Sequence, residues 1–140
     1  MKRSSRSAAA AVAAALFATV AAGPARAATP DDLLQQWRVE AGAAPFSAAR
    51  GRQLFESRPT DWSCSTCHTG DPRAGGRHTV TGKAIQPLAP AANPARFTDE
   101  AKVAKWMRRN CKDVLQRECT PLEKGDVLTW LLTLKTGAQP

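Results

Sequence analysis

The sequence predicts a small all-α domain, and three observations carry that expectation. Four segments open on a capping residue and repeat apolar side chains at spacings of three and four. Once an export segment is set aside, the remaining chain is the length of one domain, with no internal repeat. The third observation is a stretch dense in Gly and Pro, residues 69–97. It is too long for a structureless loop in a compact domain unless it is functional. Such a stretch makes sense if it wraps something that replaces missing hydrophobic volume, with Ile85, Leu88 and Phe97 turned inward.

The export segment is read from three parts. Residues 1–6 (MKRSSR) are basic, residues 7–22 form an alanine-rich apolar run, and Ala25-Arg26-Ala27 offers small residues where a signal peptidase reads. The apolar run is 16 residues, against roughly 20 needed to cross a bilayer. A cleaved signal peptide over residues 1–27 is therefore expected, followed by one domain over residues 28–140. No stable membrane insertion is expected after cleavage, and the compartment is the periplasm.

In that domain the first helix is expected over residues 29–41. Thr29 suits the cap, Pro30 the first helical position, and Asp31 and Asp32 the positive end of the dipole. Leu33, Leu34, Trp37 and Ala41 form its stripe. A second helix, residues 47–57, brings Gly51 and Phe55 onto one face, and a glycine there lets another helix approach closely. The natural partner is the last helix, residues 120–135, which opens on a Thr120/Glu123 capping box with Pro121 first. Its Trp130, Leu131 and Leu134 should receive the Gly51/Phe55 face. Between them a third helix, residues 98–111, carries Val103, Trp106, Met107 and Asn110 on one broad face.

Charge narrows the partner classes. The formal net charge is +8, but residues 1–27 hold four basic residues (Lys2, Arg3, Arg6 and Arg26) and no acidic one, so the mature domain carries +4. Its basic residues are interspersed with Asp and Glu, which is a solvated surface and not a nucleic-acid stripe. Arg108 and Arg109 form the one local pair suited to an acidic partner.

The chemistry is concentrated in Cys64-Ser65-Thr66-Cys67-His68, the signature of covalent c-type haem attachment. Two thiols three positions apart reach the two vinyl groups as thioethers, and the adjacent histidine falls under the iron. A structural zinc site needs four ligands, and no second pair with metal spacing exists. A thioredoxin-like pair would follow a strand in a βαβ unit, which this chain lacks. One covalent haem c is expected. Cys111 and Cys119 are too far apart for haem. They close a nine-residue loop in an exported chain, so a disulfide is expected, worth about 2.5 kcal/mol in the chain-entropy account.

The other side of the iron decides function. Met107 would make a conventional electron carrier, because a thioether favours ferrous iron and raises the potential; as packing it would be an ordinary apolar position. Asn110 offers a hard, weak-field amide oxygen that suits ferric iron and lets go on reduction. From spacing alone, Asn110 also reads as a C-terminal helix cap. His78 and Lys83 are remaining possibilities, His78 reading more simply as a surface histidine.

The strings TGKAIQPLAP (residues 81–90), NPARFTD (93–99), KWMRRNC (105–111) and RECT (117–120), with Glu123-Lys124, resemble the SHP-type cytochromes c, small bacterial monohaem proteins named for the sphaeroides haem protein. The resemblance spans nearly all of the mature chain. It implies a class I-like cytochrome c fold wrapped around one covalent haem, ligated through Cys64, Cys67 and His68, with a Cys111–Cys119 disulfide. It also implies Asn110 as a sixth ligand released on reduction, a site then open to O2 or NO, and electrons from a dihaem cytochrome c. Met107 departs from the family, which has a plain apolar residue there, and so stands as packing or as a competitor for the iron. Turnover of O2, NO or hydroxylamine-like molecules is a third class of function; Asn110, Arg108 and Arg109 are the polar groups that could serve it.

Overall fold

The computed structural model describes residues 27–42 and 44–135, so the expected signal segment lies outside the described residues apart from Ala27. Five helices follow in order: α1 (Pro30–Ala41), α2 (Ala48–Glu56), α3 (Cys64–His68), α4 (Glu100–Leu115) and α5 (Pro121–Thr133). A two-residue antiparallel pair, β1 (Gly76–Arg77) with β2 (Ala84–Ile85), lies between α3 and α4 in register Gly76↔Ile85. The fold is all-α as expected, with this short hairpin inside the long loop.

Helix starts follow the capping chemistry. Thr29 Oγ1 accepts the Asp32 N–H at 3.2 Å while the Asp32 carboxylate accepts the Thr29 N–H at 2.8 Å, which satisfies two otherwise orphaned donors. Thr120 and Glu123 form the same reciprocal pair at the start of α5. In α4 the cap is Asp99, which accepts the Lys102 N–H at 2.9 Å; Thr98 turns back to the Ala95 carbonyl. That helix also runs a turn past Cys111. Val114 keeps its buried face, and Gln116 closes it in the left-handed region at φ 58°.

The core forms where α2 crosses α5, with α1 packed on α5 alongside. A Cβ on Gly51 would lie 2.0 Å from the Asp126 carbonyl oxygen, so the two backbones touch. One turn on, Phe55 packs tilted against Trp130 at 4.9 Å between ring centroids. Leu33, Trp37, Phe97, Leu128 and Leu131 complete the buried cluster. The crossing is also pinned by a polar clamp. Asp126, only 3% exposed, accepts the Ser47 N–H at 2.6 Å and the Arg50 guanidinium at 2.7 and 2.9 Å. A buried carboxylate is tolerated there because its oxygens are fully partnered.

α4 is held differently. Its backbone approaches no other element as closely as α2 approaches α5. It reaches the core through Val103 and Met107, and a gap of about 90 Å³ remains where these meet Leu33 and Trp37 of α1. Its far end is tethered by the Cys111–Cys119 disulfide, 5.6 Å between Cα atoms.

Beside that tether, Arg117 grips Glu123 through two N–H donors at 2.8 and 2.6 Å. These bonds, with those from Thr120, hold the Glu123 carboxyl down at about 2, below its ordinary 4.5. A folded value below the unfolded one contributes stability above about pH 4.5 that is lost as pH falls toward 2. Because Arg117 is half exposed, screening reduces the expected contribution to about 1 kcal/mol. Acid unfolding followed by circular dichroism should show it, and Arg117→Gln should flatten the curve between pH 5 and 2 by about that amount.

Candidate functional site

The Cys-Ser-Thr-Cys-His stretch folds as the single turn α3. Ser63 caps it by accepting the Thr66 N–H at 3.1 Å, and the Thr66 hydroxyl accepts the Ser63 N–H at 2.9 Å. This local box sets the turn before any cofactor chemistry is considered, and it places Cys64, Cys67 and His68 on one short rigid element. Neither cysteine takes part in the disulfide, and both are half-buried. Burial pushes the Cys64 thiol up to about 11. Burial, then the Arg96 guanidinium, holds His68 down at about 4, so its imidazole is neutral at pH 7 and offers a nitrogen lone pair.

Two elements position α3. On one side Phe55, fixed by Trp130, lies 6.3 Å from the His68 ring, centroid to centroid. On the other, β1 passes directly behind the turn. A Cβ on Gly76 would lie 2.0 Å from the Cys67 carbonyl oxygen, so only glycine fits. The hairpin tip then brings Thr79 Oγ1 to 3.6 Å from Cys67 Sγ. His78 is engaged within the hairpin: its Nδ1 accepts the Val80 and Thr81 N–H groups at 3.3 and 3.2 Å. This residue, a ligand candidate in the sequence, thus uses Nδ1 to close the turn. Lys83 is exposed in the same hairpin.

The long loop is bounded by two non-glycine residues in the left-handed region, Thr69 (φ 65°) directly after His68 and Phe97 (φ 61°) before α4. Such residues carry local strain and persist only where their surroundings hold them. Phe97 is held by burial in the core. Leu88 and Ala89 donate their N–H groups to the Pro72 carbonyl at 2.8 and 3.0 Å, and Arg96 clasps the Gln86 and Pro87 carbonyls at 2.7 and 2.9 Å. Arg96, close enough to bias His68, was not singled out from sequence. Its signal was a single charged residue in the apolar, proline-rich stretch 84–97.

On α4, Met107 packs against the core beside Leu33, Trp37 and Val103. Asn110 lies in the helix interior, half-buried, five residues before the helix ends, so it is not the cap that its spacing suggested. Among the described residues its amide makes no hydrogen bond. Trp106, one turn earlier, is 43% exposed although it is the bulkiest side chain on the helix. Asn110 and Trp106 thus share one side of α4, next to the face that carries Val103 and Met107.

The donor set fits a covalent haem and not a bare ion. Among the described residues, no three His, Cys, Asp or Glu side chains gather closely enough to hold a metal. Two thiols and an adjacent imidazole on one turn instead match two thioether bonds and one axial bond. No described helix is long and apolar enough to cross a membrane.

Comparison with known proteins agrees. A family model for a domain of unknown function, DUF1924, matches residues 41–131. The cytochrome c-type protein SHP of Cereibacter sphaeroides is 49% identical over 123 residues, which cover 83% of this chain and 94% of that protein. Cytochrome c'' of Methylophilus methylotrophus is 45% identical over 71 residues, 51% of this chain and 49% of that protein. Among solved structures, oxidized SHP, an oxygen-binding cytochrome c, superposes with a TM-score of 0.71 at 48% identity, covering 77% of this chain and 99% of that one. A solution structure of cytochrome c'', concerned with haem-ligand detachment, superposes at 0.68 and 32% identity, covering 79% and 97%. With its class I-like helical fold and its single covalent haem c, the chain belongs to the DUF1924 family and is a monohaem cytochrome c of the SHP type.

Proposed function

We propose that this cytochrome is an exported, periplasmic electron-transfer protein whose haem site opens to a diatomic gas on reduction. Cys64 and Cys67 would hold the haem through thioethers, and His68 and Asn110 would hold its iron, His68 permanently. When bound, the haem supplies a one-electron iron couple and one exchangeable coordination position. Asn110 would offer its amide oxygen to ferric iron and release it on reduction, because a hard neutral oxygen suits the softer ferrous ion poorly. Electrons come from a redox protein, by family resemblance a dihaem cytochrome c.

The observation that carries this reading is Asn110 itself, a half-buried amide in the middle of a helix with no hydrogen-bond partner among the described residues. Asparagine is a poor helix former, and its amide competes with the backbone. Its amide reaches solvent and is committed to no protein group among the described residues, so it is available to a ligand outside the protein. Met107, the alternative sixth ligand, packs toward α1, which supports the asparagine. The similarity to an oxygen-binding cytochrome c and to one concerned with haem-ligand detachment points the same way.

The test is an optical and EPR spectrum, ferric then ferrous, before and after adding NO or CO. A weak-field ferric spectrum and a high-spin ferrous form that binds gas on mixing are expected. A low-spin spectrum in both states, with a methionine–iron charge-transfer band and no gas binding, would assign the position to Met107.

A further inference from the structure

α4 presents three faces. Val103, Met107, Cys111 and Val114 turn to the protein interior. Trp106 and Asn110 lie beside them. The outer face is basic: Lys102, Lys105, Arg108, Arg109 and Lys112 are all exposed and fall within about a third of the helix circumference over about 15 Å of its length. Neighbours three and four apart on this face repel one another. Among the described residues Glu118 pairs with two of them, Arg108 at 3.7 Å and Lys112 at 3.5 Å, and Asp113, exposed on the same helix one turn from Arg109, makes no ion pair with any of them. Lys102 and Lys105 make no ion pair among the described residues. Arg109 sits 5.7 Å above the Trp106 ring, which is 43% exposed.

A row of five cations with Lys102, Lys105 and Arg109 left out of any ion pair among the described residues, beside an exposed tryptophan–arginine contact, has the composition of an interface centre and not of an indifferent solvated face. We propose that the outer face of α4, with Lys102, Lys105 and Arg109 at its centre and Trp106 at its edge, is the docking surface for an acidic redox protein that reduces the haem. This deepens the proposed function, resting on its electron-accepting half and not on the identity of the sixth ligand. One electron passes from donor to iron, the donor is oxidised by one, and no covalent bond changes. A membrane surface is the poorer occupant. An interfacial helix needs a broad apolar face for the lipid, and α4 has already committed its apolar face to the core.

The experiment uses the intact holo-protein and flavodoxin hydroquinone as an acidic one-electron donor, its flavin going to the semiquinone. Reduction is followed by stopped flow and binding by calorimetry at low salt. Free lumiflavin semiquinone serves as a neutral small reductant. Two variants with equal net charge are compared: Lys102→Glu/Lys105→Glu/Arg109→Glu, and Arg38→Glu/Arg52→Glu/Lys135→Glu on other faces. The α4 variant should lose about tenfold or more in the flavodoxin rate and lose the calorimetric signal. The control should lose about twofold, and both should keep wild-type rates with lumiflavin. Equal losses in the two variants would reduce the effect to net charge and overturn the proposal, as would wild-type behaviour of the α4 variant. Sedimentation with phosphatidylglycerol vesicles that is abolished only in the α4 variant would overturn it in favour of a membrane surface. Normal lumiflavin reduction without gas binding would instead count against the proposed function and leave the docking surface standing.

Discussion

Gly51→Ala should unfold this protein at a markedly lower temperature. Alanine is ordinarily the better helix former by about 1 kcal/mol, so propensity alone predicts a gain. The site forbids it: the added methyl would lie 2.0 Å from the Asp126 carbonyl oxygen and 2.7 Å from the Val127 nitrogen. Backbone atoms cannot rotate away as a flexible side chain can, so α2 and α5 must separate. Separation loosens the Phe55–Trp130 contact and the Ser47 and Arg50 bonds to Asp126 together. A net loss of about 3 kcal/mol is expected, at the upper end of overpacking costs. For a domain of this size that lowers Tm by about 10–20 °C, read by circular dichroism. Arg52→Ala, exposed on the same helix and losing only an i,i+4 pair with Glu56, should stay within about 0.5 kcal/mol of wild type. A Gly51→Ala protein melting near wild type would mean that this crossing is not the keystone of the core.

That crossing was legible in the sequence because its signals are local. Gly51 and Phe55 share a face by helical spacing, and the Thr120/Glu123 box announces the partner helix. The start of α1 was equally readable from Thr29, Pro30 and Asp32. The haem motif and the disulfide pair could be read because five adjacent residues and four cysteines carry almost all of their meaning.

What escaped depends on distance along the chain or on competition between neighbours. The Arg50–Asp126 clamp joins residues 76 positions apart, and neither residue is unusual in its own helix. Asp99 displaced Thr98 as the α4 cap because either side chain could cap, and only the three-dimensional turn decides between them. α4 runs beyond the cysteine that its spacing marks as a boundary: Cys111 lies inside the helix, so Asn110 is no cap. The hairpin is too short to show alternation, and His78 closes it through a ring nitrogen that no periodicity reveals.

Asn110→Ala should separate the two readings of the sixth position more sharply than any other single change. If Asn110 occupies ferric iron, an external anion must displace it, and its apparent affinity is reduced by the fraction of time the position is vacant. An asparagine absent about one tenth to one hundredth of the time imposes a tenfold to hundredfold penalty. Asn110→Ala removes that competition, so cyanide or azide affinity of the ferric form should rise by about that factor, read by optical titration. The ferrous form should bind NO or CO nearly as before, because in that state the amide has already withdrawn. Met107→Leu, close in volume and conservative in a core position, should leave both titrations unchanged. The opposite pattern, with Met107→Leu freeing the ferric site and Asn110→Ala silent, would assign the iron to the thioether. The ferric-only effect matters most, because a residue that merely lined the pocket would alter ligand binding in both oxidation states.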